Sequence, residues 1–207
     1  MAQQYRALMT RETILRVAAA EFDRLGYDAV PLSAILRRSG LTKGAFYFHF
    51  ESKEALALAI VRQQEEEWPR LLAAWRARGL DPLRTLVGLV DEVVSRLSVD
   101  VRLRAGVRLA ADRGLEFLGL ANVHLRWERA MSEILSLARD EGQLRPGADP
   151  DAAARVLCAS LFGARLISTS ASGCADFSQR VREVWSCLLL GVAAPEWGPQ
   201  LITDLEP

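Results

Sequence analysis

Lysine is nearly missing from this chain of 207 residues: of 26 basic residues only Lys43 and Lys53 are lysine, and the rest are arginine. In a composition so biased, a lysine carries more functional weight than any single arginine. Histidine is as scarce, with only His49 and His124. His49 sits inside an aromatic cluster, and His124 has no nucleophile at a telling spacing. No metal-ligand spacing and no phosphate-cradling glycine loop occurs, so no catalytic residue, metal or cofactor is assigned and an enzyme is not expected. The three cysteines, Cys158, Cys174 and Cys187, are odd in number and match neither a zinc pattern nor a disulfide framework; buried free thiols are expected. No unbroken apolar run reaches the roughly 18 to 20 residues that span a bilayer. The longest, around Val184 to Ala194, is interrupted by Ser186 and Gly191. The opening "MAQQYRALMTRE" has no apolar signal core, so a soluble cytoplasmic protein with no membrane partner is expected.

Net charge is also absent, with 26 basic against 26 acidic residues. The balance is uneven along the chain. Through Lys53 there are 8 basic and 5 acidic residues; from Glu54 onward there are 18 and 21. A basic head on an acidic body is the asymmetry expected when only the head meets phosphate.

What remains is apolar residues at helical spacing, with no competing strand pattern or repeat. From Thr10 to Leu25, the residues Leu15, Ala18, Phe22 and Leu25 form one stripe, which Gly26 closes. Pro31 leads into a short helix over Leu32 to Arg38, and Thr42 caps a third. Ser52 caps a long fourth helix, which Pro69 should kink or break near Trp68. Further helices are expected from Pro82 to about Leu97, Arg102 to Asp112, Leu120 to Glu141, Pro150 to about Ser170, and Phe177 to about Val192. The fold class is all-α: a three-helix head over residues 1–52 and a helical bundle over 53–207.

The most informative stretch is "GLTKGAFYFHFESKE", Gly40 to Glu54. Two short helices joined by "RRSGLT" make a helix-turn-helix, whose second helix suits a DNA groove. Thr42 at the N-cap offers a hydroxyl and backbone N–H groups to a phosphate. Lys43 and Gly44 fill the first turn, where a recognition helix touches bases, and glycine lets the backbone come close. Ala45 is small enough to lie on a thymine methyl. Phe46, Phe48 and Phe50 cannot all face water, so at least two should anchor the helix. Tyr47 and His49 lie on the other side with polar tips for phosphate, and Lys53 stands near the same backbone.

The spacing Thr-Lys-Gly-x-x-Tyr-x-His-Phe, set within Thr10 to Leu56, resembles the TetR family of one-component regulators. That resemblance implies double-stranded DNA as partner, a homodimer formed through the last two helices, and a palindromic operator. It also implies a helical body enclosing a small-molecule pocket. Small residues Ala152, Ala159, Ser160, Gly163 and Ala164 beside Leu157, Leu161 and Phe162 offer one apolar band. Val181, Val184, Trp185, Leu188 and Leu189 offer another.

Three stretches carry a closer resemblance, to the γ-butyrolactone autoregulator receptors: "QQYRALMTRETIL", "TKGAFYFHF" and "RAGVRLAAD" followed by Trp127 in "LRWERAM". In "TKGAFYFHF" Phe46 replaces the subfamily's usual leucine. The resemblance implies a repressor of antibiotic-biosynthesis or regulatory genes, released by a lipophilic lactone, butenolide or furan. It places the pocket tryptophan at Trp127 and a polar pocket group at Gln64, with Phe162 and Val107 as further lining candidates. A TetR-type regulator answering an unrelated molecule, or none, is the alternative.

Overall fold

In the computed structural model, residues 2–112, 115 and 123–197 are described. Along them run α1 (Ala2–Leu25), α2 (Leu32–Ser39), α3 (Lys43–His49), α4 (Lys53–Arg76), α5 (Pro82–Val99), α6 (Val101–Ala110), α7 (Val123–Asp140), α8 (Pro150–Ser172) and α9 (Phe177–Val192). The all-α expectation holds. Helix α1 begins well before Thr10, and α4 continues as helix through Pro69. Pro69 is exposed, so its ring has no packed neighbour to displace on that side.

The helices pack as two compact units. Met1–Trp68 with Asp100–Val123 form the first, and Pro69–Val99 with His124–Pro207 the second. By packing, the division falls inside α4 at Pro69, and α6 groups with the first unit.

In the first unit α1 packs on α2 and α6. Its core joins Ile14, Leu15, Ala18 and Phe22 of α1 to Ile35, Phe46, Leu56, Ile60 and Leu109. Phe22, Ile35, Phe46 and Leu56 are completely buried, which is why helices as short as α2 and α3 persist.

In the second unit α9 packs against α8 and α5. Phe177, Val181, Trp185 and Leu189, four residues apart, form its buried stripe. On α8 Leu157, Leu161 and Ala164 are also buried. The large side chains of the two expected apolar bands are thus mostly spent inside the protomer. The buried Gln143 side chain accepts from the Leu83 N–H at 3.1 Å, closing the start of α5. Asp176 accepts from Ser172 at 2.6 Å and Arg180 at 2.7 Å, fixing the turn from α8 into α9.

Of the cysteines only Cys158 is buried, its thiol pushed up to about 11 by desolvation and by Glu128. Cys174 is half-buried and Cys187 exposed, because α9 turns position 187 away from its buried stripe. Helix α8 is long and apolar enough to cross a membrane by length and composition. Asp151, Arg155 and Arg165 interrupt it, and its inner face is taken up by α9.

Candidate nucleic-acid interface

The reading head is assembled from local signals and a few long-range ties. Pro31 leads α2, and Gly40 ends it in the left-handed region at φ 68°. That conformation lets the Gly40 and Leu41 N–H groups turn back to the Leu36 carbonyl, and it favours glycine. The Glu21 carboxylate, 3% exposed, bonds to Arg38 of α2 and lies 3.3 Å from Arg24. A buried carboxylate is costly unless paired, so this tie fixes α2 against α1.

Helix α3 follows after three residues. Thr42 caps it, its hydroxyl accepting from the Ala45 N–H at 3.2 Å. Phe46 is fully buried and Phe50 is 5% exposed, their ring centroids 5.9 Å apart. They are the anchors. Lys43 and Gly44 are exposed, and the Lys43 ammonium lies 5.8 Å from the Tyr47 ring centroid. Ala45 and His49 are half-buried at the edges. Phe48, placed among the possible anchors, is instead 79% exposed.

Ser52 caps α4 by accepting from the Ala55 N–H at 3.1 Å. Lys53 stands 4.0 Å from the Tyr27 ring centroid. Burial lowers the pKa of its ammonium, with Asp28, Glu54 and Asp112 pulling the other way. Its charge is therefore partly engaged within the head. Thr42, Lys43, Gly44, Ala45, Tyr47 and His49 are gathered on one short helix and its cap.

Behind this surface α6 grips α1. Arg104 Nε donates to Asp23 at 2.9 Å, and Arg108 donates to the Asp23 carbonyl at 2.6 Å. Arg102 pairs with Glu12, and the Tyr27 N–H donates to Asp112 at 3.1 Å. Gly26 is open to this grip: a Cβ there would meet Arg108 at 3.2 Å. The segment "RAGVRLAAD" thus holds the end of α1, a role its own composition does not announce.

The four candidate ligand residues divide between the units. In the first, Gln64 is 1% exposed, and among the described residues neither its amide nitrogen nor its oxygen has a hydrogen-bond partner. It presses on α6, where a Cβ at Gly106 would fall 2.8 Å from the Gln64 Cβ; Val107, 5% exposed, follows. In the second, Trp127 of α7 is buried. Phe162 of α8 meets the His124 ring edge-on, with centroids 4.0 Å apart. Burial, then Arg165, lowers the pKa of that imidazole. The His124 partnership was not foreseen, because the two positions lie on different helices.

Residues 14–60 match the family model described as bacterial regulatory proteins, tetR family, and residues 82–194 match the tetracyclin repressor-like C-terminal domain. The chain belongs to the tetR family. Among curated relatives, the A-factor receptor protein of Streptomyces griseus is 37% identical over 94% of this chain and 68% of its own length. A solved γ-butyrolactone receptor, an ArpA-like protein, superposes with a TM-score of 0.86 at 32% identity, covering 97% of this chain and 96% of that one. CprB from Streptomyces coelicolor, solved with its operator sequence, gives 0.83 at 33% identity over 96% and 95%. This TetR-type chain is therefore a DNA-binding transcriptional regulator, and its helix-turn-helix is α2–α3.

Proposed function

We propose that this TetR-type regulator is a dimeric repressor that leaves a palindromic operator when a lipophilic γ-butyrolactone, butenolide or furan binds, and that it controls antibiotic-biosynthesis genes in the cytoplasm. The DNA contacts are Thr42, Lys43, Gly44, Ala45, Tyr47, His49 and Lys53, within a DNA-binding part that ends near residue 52. The remainder serves ligand binding and dimerisation.

The observation that carries the ligand reading is Gln64. Leaving a buried amide without partners costs about 1–3 kcal/mol, and such a group in a native protein calls for an explanation. A ligand carrying both a hydroxyl and a carbonyl would satisfy it. Trp127 supplies a flat apolar ring for the same class of molecule, with Phe162 and Val107 as lining. The comparisons support this class, since one of the solved structures, at 32% identity, is a γ-butyrolactone receptor by name. Release requires the ligand to favour a state whose reading helices no longer match successive grooves.

Dimerisation is assigned to the apolar side chains that α8 and α9 leave outside: Val156, Leu166, Ile167 and Leu190.

The test is release of the full-length protein from a duplex it has itself selected. Lactones, butenolides and furans form one arm, aromatic antibiotics the other. Release by the first arm, blunted in Gln64→Leu and Trp127→Phe, is the expected outcome. Release by the second arm alone favours a regulator of unrelated ligand.

A further inference from the structure

Phe48 has no task in the fold. At about 100° per residue it lies about 160° around α3 from Phe46, the completely buried anchor. Its ring is 79% exposed and meets only the edge of the His49 ring, with centroids 5.0 Å apart, among the ring contacts of the described residues. Gly44, one turn earlier on the same side, has open space where a Cβ would stand. The side of α3 pointing most directly out of the head is therefore a bare turn of backbone followed by a phenyl ring. Lys43 and Tyr47 flank it on one side, Ala45 and His49 on the other.

This face lies within the segment matched to the tetR family, and α3 carries no acidic residue. A phenyl ring can neither donate nor accept a conventional hydrogen bond. On the floor of the major groove its complement is the thymine C5-methyl, the one apolar group presented there.

We propose that Phe48 reads a thymine methyl in each half-site of the operator and is a specificity-determining contact of α3. This rests on α3 being the DNA-reading helix. The polar neighbours would then position the helix on phosphate and polar base edges, while Phe48 discriminates thymine from the other bases.

The test uses the full-length protein and a duplex it selects from a random-sequence library. Each thymine of that duplex is then replaced, one at a time, by deoxyuridine, which lacks only the methyl. For the wild type, one thymine per half-site should weaken binding by about fourfold when its methyl is removed, as expected for about 0.8 kcal/mol per buried methyl-sized group. Phe48→Ala should bind the unmodified duplex about tenfold or more weakly and be indifferent to deoxyuridine at that same position. Phe48→Leu should keep part of the sensitivity. Because the ring is exposed, the Phe48→Ala fold should be intact, which a thermal melt checks.

Unchanged affinity of Phe48→Ala would overturn the proposal. So would weaker binding with the same deoxyuridine pattern as the wild type, since Phe48 would then touch the sugar-phosphate backbone. Should the wild type select no duplex, it is the reading of α3 that fails, and the proposal falls with it.

Discussion

The Tyr27 hydroxyl donates to Glu54 Oε1 at 2.7 Å, joining the loop after α1 to the first turn of α4. Three ionisable groups meet there, because the Lys53 ammonium covers the same phenol ring. Burial, then Glu54, holds the Tyr27 pKa well above its usual value. The Glu54 carboxyl is held below the usual range by hydrogen bonds from Ser52, then Tyr27, then its own backbone. The exit from the reading helix is thus braced by an ionised carboxylate.

That brace makes head stability depend on pH. A carboxylate whose pKa is depressed by folding contributes fully above its unfolded value, about 4.3 for glutamate, and loses the contribution as pH falls through the folded value. Glu54→Gln keeps an acceptor for Tyr27 but removes the charge. The wild type should therefore melt higher than Glu54→Gln at pH 7, with the gap closing on acidification toward pH 3. Paired thermal melts across that range check it; a gap that widens in acid contradicts it.

Lys43→Ala should weaken binding to the selected duplex by about tenfold to a hundredfold, the magnitude of losing one good base contact. The side chain is exposed, so melting temperature and dimer mass should stay unchanged. Fluorescence anisotropy at fixed salt measures the loss. If Lys43 reaches only phosphate, the weakening should be uniform across sequences and the salt slope should fall by about one.

Much of the head was legible because its signals act within one helical turn. Thr42 and Ser52 cap helices wherever the chain goes, and Gly40 supplies the left-handed turn by itself. The same holds for the spacing of Phe46 and Phe50, four apart on one side of a short helix. What escaped was set at long range or by angle. Arg104 and Asp23 meet 81 residues apart, and no periodicity reports that. The exposure of Phe48 follows only once Phe46 and Phe50 are known to be the buried pair, since Phe48 lies about 160° around α3 from Phe46. Pro69 misled for a related reason: an exposed position tolerates what a buried one does not.

Leu166→Glu should split the dimer and spare the protomer. The side chain is 73% exposed in the single chain, so a charge there costs the fold little. Across a two-fold interface it would replace the burial of two leucines, each worth about 1.5–3 kcal/mol, by two carboxylates taken out of water. The expected result is at least a hundredfold weaker self-association by sedimentation. Val99→Glu is the control, 81% exposed at the end of α5 and outside the assigned interface. Equal dimer strength for both variants would remove α8 from the interface.

Gly88 tests the packing of the second unit without touching DNA or ligand. A Cβ at this position would fall 2.2 Å from Cη2 and 2.3 Å from Cζ3 of Trp75. The indole has little room to retreat: it is 9% exposed, its Nε1 donates to Glu92 at 2.7 Å, and Arg78 stacks on it at 3.6 Å. Adding one methyl to a packed core costs about 1–3 kcal/mol, and here the displaced ring would also strain the Glu92 bond. Gly88→Ala should therefore lower stability in urea denaturation by up to about 2 kcal/mol, the clash less the about 1 kcal/mol by which alanine is the better helix former. Trp75→Phe shortens the ring system that the new methyl would strike. The double variant should accordingly be more stable than the sum of the two single losses predicts, the coupling expected of residues in contact. Strict additivity would mean that α4 and α5 relax apart at this point and that Gly88 is not kept small by Trp75.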